Sequence, residues 1–443
     1  MRSPSEPATI DELEQVQPLD GRSPVLPLIV DLAEPLPSLV NVGHRYRAAH
    51  LLVVVQGTPL GWVDLALPPE GVAPELLAEL LWKRLRRAIV AELAARDLSA
   101  PGSLPAGGYD LGSPARGRVE PHVAVVIATR ERPEELERCL HSVLEGVVVP
   151  AQLVVVDNAP TSDRTERLVR RMAEDHPSLQ YVREPRPGLG RAHNAALPVL
   201  RTRLVAFTDD DVVVHPWWLA RTVEAFEVAD DVACVTGMIA PLELDTRTQQ
   251  LIEAHAGFNK GFDRRVFDPR ADHHDDVLFP FAAGVFGSGA NMSFDTEYLR
   301  SVGGFDDALG AGTVALGGDD LAAFYDVMAT GRRLVYEPAA IVSHRHHREL
   351  PALQRQAYGY GAGLSAHLTR CVLNDPKVAW AMLRRVPPAV RRAARIARPE
   401  RSPDRPEPPP GLTWHHLRGM AAGPVRYVRS RRAARAAAAA GTP

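Results

Sequence analysis

The sequence predicts an α/β protein with a largely parallel sheet, and two observations carry that expectation. From residue 122 onward, apolar runs alternate with runs of helical spacing: HVAVVIAT, EELERCLHSVL, AQLVVVDN, SDRTERLVRRMAED, LQYVRE, GLGRAHNAALPVL and RLVAFTDDD. Strand, helix and strand in that rotation imply βαβ crossovers, whose strands run parallel. The second observation is where the polar residues fall. Thr129 closes AVVIAT, Asp157 closes VVVDN, and Asp209, Asp210 and Asp211 close the run LVAF. Ligands of parallel sheets gather at those carboxyl ends.

With 443 residues, 45% of them hydrophobic, the chain can hold one large domain and a smaller one. Residues 1–24 are polar and acidic, without the apolar stretch of a signal peptide, and are expected to be disordered. Residues 25–98 read as a small α+β module: VLPLIVDL and AAHLLVVVQGTPLGWVDLAL as strands around a QGTPLG turn, then PELLAELLWKRLRRAIVAEL as a helix. The Gly, Pro and Ser density of 99–121 marks a linker. The large domain spans 122–375. Residues 376–443 form a basic tail with fourteen Arg and one Lys against three acids, Pro-rich in RPERSPDRPEPPPG and partly helical in its Ala/Arg stretches.

Composition also excludes classes. Three widely spaced cysteines, Cys139, Cys234 and Cys371, make neither a disulfide framework nor a metal knuckle, which points to a reducing, cytoplasmic setting. The longest uncharged stretch, Val277 to Phe294, is interrupted by Pro280, Gly284, Gly287, Gly289 and Asn291, so no membrane-spanning helix is expected. Nucleic acid is a poor partner for a chain whose large domain is acidic and lacks a recognised binding motif. The Arg-rich tail, with Trp380, Met382 and Leu383 as an apolar side, instead suits peripheral contact with an anionic membrane, set against a plain solvated extension.

Asp209 and Asp211 are two residues apart, so in extended backbone they would project to one face. Two such carboxylates repel unless a cation lies between them, and Mg²⁺ or Mn²⁺ would also neutralise a diphosphate. An acidic turn at the start of the following helix is the alternative.

The motifs VAVVIATRERPEELERCLHSVL, VVVDN, GLGRAHNAAL, FTDDDV, GSGANMSF, GGFD and GGDDLAAFYDVMATGRRLVYEPAAIVSHRHH occur in the order seen in family 2 glycosyltransferases, which the chain resembles over residues 122 to 350. The resemblance implies a GT-A type, Rossmann-like mixed and mostly parallel sheet flanked by helices. It also implies a nucleotide-diphospho-sugar donor, Mn²⁺ or Mg²⁺, and inversion at the anomeric carbon, hence transfer to a hydroxyl acceptor; the membrane reading of the tail would suit a lipid-linked one. Carried over by position, it assigns Thr129, Glu131 and Asp157 to the nucleoside pocket and Arg191 and Asn194 to the donor phosphates. His193 departs from the commoner Arg. Asp209 and Asp211 match the DXD metal motif, Asp209 also serving the donor ribose, and His344 completes the metal shell. Asp319 and Asp320 match the acidic pair of the catalytic centre, with Asp320 as base; a helix cap is the competing role. Gly287, Gly289 and Asn291 fall on the acceptor side.

Three further clusters are read more plainly. Trp217 and Trp218 are expected to pack rather than stack on sugar, DHHDD at 272–276 is expected to be an exposed acceptor-side loop, and His346 and His347 have no assigned role. Two other functions compete with glycosyl transfer. A nucleotidyltransferase would share the strand-end acids, but the chain has no Gly-rich, Lys-containing loop after its first large-domain strand. A non-catalytic nucleotide-sugar-binding scaffold would need no base.

Overall fold

The computed structural model describes residues 9–16, 19, 21, 24–99, 102–112, 123–255, 260–271, 279–385 and 411–440. The N-terminal module is a three-stranded sheet of β1 (Val25–Asp31), β2 (Ala48–Val55) and β3 (Thr58–Ala66). β1 runs parallel to β2, and β2 and β3 form an antiparallel hairpin. The hairpin turn is Gln56-Gly57, both at positive φ (46° and 84°), the conformation a two-residue turn needs to match strand twist. Helix Pro74–Ala95 covers one face through Leu77, Leu80, Leu81 and Ile89, at helical spacing.

One helix does not close this core. Leu13, from a short helix at Ile10–Leu13, and Leu104 complete it, and Leu36 and Tyr109 donate backbone hydrogen bonds to Ala106 and Leu32 at 2.8 and 2.7 Å. The described parts of the expected disordered start and linker are thus packed. Apolar edges left by a small sheet drew them in.

Among the described residues the large sheet has nine strands. Its path is β10 (Arg265–Phe267), β12 (Arg333–His344), β9 (Val232–Pro241), β11 (Asn291–Asp295), β7 (Leu204–Asp209), β4 (Val123–Thr129), β5 (Gln152–Asn158) and β6 (Leu179–Glu184); β8 (Val212–Val214) pairs with β12 off this path. β7, β4, β5 and β6 are parallel, as are β9 and β12, while β11 is antiparallel to both neighbours. This is the mixed, mostly parallel layout expected. Two apolar layers cover its faces, one using helices Pro133–Leu144, Arg164–Ala173 and Trp218–Phe226, the other Leu189–Ala196 and Asp319–Ala329.

The module is not a free appendage. Leu52 and Val54 of β2 bury against Met238, Ala240 and Ile341 of β9 and β12. Arg221 donates to the Gln56 carbonyl at 2.8 and 3.2 Å, and a Cβ on Gly57 would stand 2.8 Å from Trp217 Cβ.

The tail also departs from expectation. Helix Leu412–Ala440 lies directly on helix Leu350–Asn374, so the expected boundary at 375/376 does not set it apart from the large domain. Glycines permit the approach: a Cβ on Gly419 would fall 2.0 Å from the Tyr358 carbonyl, and one on Gly423 1.9 Å from Ser365 Oγ. Tyr427, 1% exposed, donates to Asp306 at 2.9 Å, and Arg426 to the Val314 carbonyl at 2.8 Å, so this helix also fixes the 306–316 loop. The Pro-rich stretch and DHHDD lie outside the described residues. Among the described residues, no helix is long and apolar enough to cross a membrane.

Candidate active site

The three aspartates divide their work. Asp209 ends β7, and the chain turns at Asp210 and Asp211 before β8, so strand alternation is not what aligns the outer pair. The alignment comes from β8, whose pairing with β12 sets Val212 opposite His344. His344 Nε2 consequently lies 3.3 Å from Asp211 Oδ1. Ligating atoms of Asp209, Asp211 and His344 all lie within 4.8 Å of one another. Asp210 instead turns inward: Thr129 Oγ1 donates to it at 2.7 Å and Arg132 Nη1 at 3.2 Å. Arg132 also reaches Asp211 at 3.2 Å.

Electrostatics match a cation site. Burial, then the charge of Asp211, pushes Asp209 up to about 7. Burial acts to raise Asp211 too, but the His344 hydrogen bond and charge and the Arg132 charge outweigh it and hold that carboxyl below its ordinary value. His344 is raised: burial would lower it, and the bond to Asp211 with the charges of Asp211 and Asp209 wins. A divalent ion would relieve the Asp209–Asp211 repulsion. Two carboxylates and an imidazole suit Mn²⁺.

Asp319 and Asp320 open helix Asp319–Ala329. Its N-cap is Gly318 in the left-handed conformation (φ 89°), so neither acid is the cap residue. Asp320 is held by two N–H donors, Leu321 to Oδ1 at 2.8 Å and Gly289 to Oδ2 at 3.1 Å. Asp319 is 5% exposed beneath it, and burial followed by the Asp320 charge pushes it up to about 8. Asp320 is also raised, by burial, against the pull of its N–H donors. Asp320 is the more accessible of the pair, and its two N–H donors favour its carboxylate.

On the donor side the expectations separate. Asp157 is fully buried, accepts from Tyr181 Oη at 3.0 Å through Oδ2, and has an unpartnered Oδ1. Burial, partly countered by the Tyr181 bond, raises its pKa. A buried acceptor without a donor fits a ligand N–H. Arg191 likewise has a buried, unpartnered Nε and is 3.9 Å from Asp307.

Three other donor-side residues are occupied inside the protein. Thr129 is spent on Asp210. Glu131 accepts from Thr161 N, Ser162 N and Ser162 Oγ at 2.6, 2.9 and 2.7 Å, which holds it down at about 2, the Ser162 hydroxyl contributing most. Asn194 ties down the 305–307 loop, donating to Phe305 O and Asp307 Oδ1 and accepting from Phe305 N, each at 2.8 Å. His193, fully enclosed between Phe207 and Phe305, is lowered to about 3 by burial and is a core residue.

The acceptor-side expectation is also redrawn. Asn291 is 1% exposed and donates to Met238 O at 3.0 Å and Ala340 O at 2.8 Å while accepting from Trp218 Nε1 at 2.9 Å. It pins β9, β12 and helix Trp218–Phe226 together instead of facing a ligand. A Cβ on Gly287 would stand 2.5 Å from Thr236, so that glycine serves packing, whereas Gly289 supports Asp320. Trp218 is core, and Trp217 lies under Arg221 against the N-terminal module. His346, 3% exposed, lies 3.2 Å from Glu253.

A cleft of about 820 Å³ opens from Asp209 and His344. Its walls include Ser288, Tyr360, Arg355 and, from the tail helix, His415 and Arg418. Sequence reasoning missed the tail residues, which no motif marks, and Arg132, whose position beside the acids exists only in the fold.

Residues 124–295 match the family model described as Glycosyl transferase family 2. The chain is 25% identical over 236 residues to a glucosyl-dolichyl phosphate glucuronosyltransferase of Haloferax volcanii, covering 50% of this chain and 69% of that one. It is 29% identical over 269 residues to a pre-mycofactocin glycosyltransferase of Mycobacterium tuberculosis, covering 60% of this chain and half of the relative's length. Among solved structures, a mannosyltransferase from Pyrobaculum calidifontis in complex with GDP-Man and Mn²⁺ aligns over 81% of this chain and 84% of its own, at 22% identity and a TM-score of 0.41. The family match covers the strand ends that carry Asp157 and Asp209 to Asp211, and residues 124–295 of this chain are a glycosyltransferase domain of family 2.

Proposed function

We propose that the protein is a metal-dependent, inverting glycosyltransferase that moves a sugar from a nucleotide diphosphate to a hydroxyl acceptor. One observation carries the reading: ligating atoms of Asp209, Asp211 and His344 converge within 4.8 Å of one another, Asp209 and His344 line the cleft, and Asp320 is near enough for its charge to act on Asp209. In this reading Asp209, Asp211 and His344 would hold Mn²⁺ or Mg²⁺, which would supply positive charge to a donor diphosphate. Asp157 accepts the base N–H, and Arg191 contributes its free guanidinium N–H to the phosphates. Asp320, aimed by Gly289 and Leu321, takes the proton of the acceptor hydroxyl on the face opposite the departing nucleotide. Asp210, Thr129 and Arg132 hold the turn that presents the metal ligands.

A lipid-linked acceptor at a membrane surface belongs to the same reading. Trp380, Leu383, Trp414 and Leu417 are 69, 59, 63 and 52% exposed, and Arg384 and Arg385 follow Leu383 in sequence. Apolar anchors beside arginines suit an anionic bilayer. Co-sedimentation with anionic but not neutral vesicles tests this part.

The central test is a thermal-shift titration with UDP, GDP and dTDP, each with and without Mn²⁺, on wild type and Asp211→Asn. Ligand that binds only the native state raises the midpoint by mass action. A shift that needs nucleotide and Mn²⁺ together and disappears in the variant supports the site. Equal shifts in both proteins would remove the metal assignment.

A further inference from the structure

Resting on the reading above, we propose that Arg355 and Arg418 form an anion-recognition site for the acceptor, so that the hydroxyl substrate carries a phosphate or carboxylate group. The two arginines come from different elements, helix Leu350–Asn374 and the C-terminal helix Leu412–Ala440, yet both line the cleft that begins at Asp209 and His344. His415 and His347 line it too, and the Arg355 charge bears on His347. The lining of the cleft thus combines Asp209 with these cations.

Neither arginine is engaged elsewhere among the described residues. Arg132, Arg345, Arg348 and Arg370 each meet a carboxylate, and Arg426 a carbonyl, whereas Arg355 and Arg418 have no hydrogen-bond or ion-pair partner among the described residues. An unpaired guanidinium beside a cleft is a bidentate receptor for a planar or tetrahedral oxyanion.

The position of the wall separates acceptor from donor. The unpartnered Asp157 and its neighbour Tyr181 lie on β5 and β6, to one side of β7 in the sheet order. Among sheet residues the cleft is lined by Asp209 of β7, Ile239 of β9 and His344 of β12, with Ala290 just before β11 and no residue of β4, β5 or β6, while Ala311 and Gly312 bring its edge to the start of the Leu189–Ala196 helix. A donor with its base near Asp157 and its diphosphate near Asp209 leaves the arginine wall to the second substrate. The wall is also firmly held, since Gly419 and Gly423 seat the C-terminal helix against Tyr358 and Ser365.

The test measures binding to the full chain and needs no turnover. Octyl phosphate, octyl glucuronide and octyl glucoside share one tail and differ in charge, and Trp414, next to His415, reports binding by fluorescence. The wild type is expected to bind both anionic probes at least about tenfold more tightly than the glucoside. Arg355→Gln and Arg418→Gln should each cost about tenfold on the anionic probes only, and Arg418→Lys should retain part of the binding. UDP or GDP with Mn²⁺ forms the donor arm and should bind wild type and variants alike. Equal binding of the three octyl probes overturns the proposal, as does unchanged anion binding in Arg355→Gln/Arg418→Gln. Loss of nucleotide binding with octyl phosphate binding retained would assign the wall to the donor and also overturn it. Anion binding that persists where no nucleotide binds would leave this site standing and remove the glycosyltransferase reading. Unfolding midpoints of the variants, expected within a few degrees of wild type because both side chains are exposed, exclude misfolding as the cause of any loss.

Discussion

Asn291→Ala separates a structural asparagine from a substrate handle. The wild-type amide satisfies three buried partners: the carbonyls of Met238 and Ala340 at 3.0 and 2.8 Å, and the indole N–H of Trp218 at 2.9 Å. Truncation leaves all three without their partner in a place that is 1% exposed. Each abandoned buried polar group costs about 1–3 kcal/mol, so with partial relaxation the total should be about 3–5 kcal/mol, at the upper end for a single substitution. The assay is urea unfolding followed by Trp fluorescence, with Mn²⁺-dependent nucleotide binding measured on the folded fraction. The midpoint should fall sharply while the nucleotide affinity of folded protein stays within a few-fold of wild type. An unchanged midpoint would refute the reasoning and return Asn291 to the acceptor side.

The remaining expectations concern the acids and the tail. Asp320→Asn should lower turnover by about 10²- to 10⁴-fold while leaving nucleotide and Mn²⁺ binding intact, measured by nucleotide release in the presence of acceptor. Metal-free protein should lose stability as pH rises from about 7 to about 8, where the buried histidines lowered to about 3 or 4 are neutral in both states. Asp209 and Asp319 have folded-state values raised to about 7 and about 8, so the native state binds more protons than the unfolded chain across that window, and raised His344 acts in the same direction. Mn²⁺ should therefore stabilise more at pH 8 than at pH 6, and a metal-free midpoint that climbs through the window would contradict the site electrostatics. Gly423→Val should destabilise by about 1–3 kcal/mol, because a Cβ there would stand 1.9 Å from Ser365 Oγ and 2.5 Å from the Ala362 carbonyl. Limited proteolysis should then release the C-terminal helix, and an intact helix at the wild-type midpoint would show that the close packing is not needed.

What the sequence by itself determined was local. Alternating apolar and amphipathic runs specified the parallel βαβ core, because strand and helix periods are properties of short windows. Polar residues at the ends of β4, β5 and β7 marked where a ligand would sit, and ordered motifs marked the acids. Tertiary structure decided which of these residues were free. Thr129, Glu131, Asn194 and Asn291 carry the right chemistry for a site, but their hydrogen bonds go to Asp210, the 161–162 turn, the 305–307 loop and the β9–β12 carbonyls. A side chain's donors and acceptors are the same whether a substrate or a distant backbone group satisfies them, so composition and spacing cannot tell the two apart. The tail makes the same point from the other direction. Its Ala/Arg sequence reads as an appendage, and only the fit of Gly419 and Gly423 against Tyr358 and Ser365, some 60 residues earlier, carries Arg418 to the wall of the cleft.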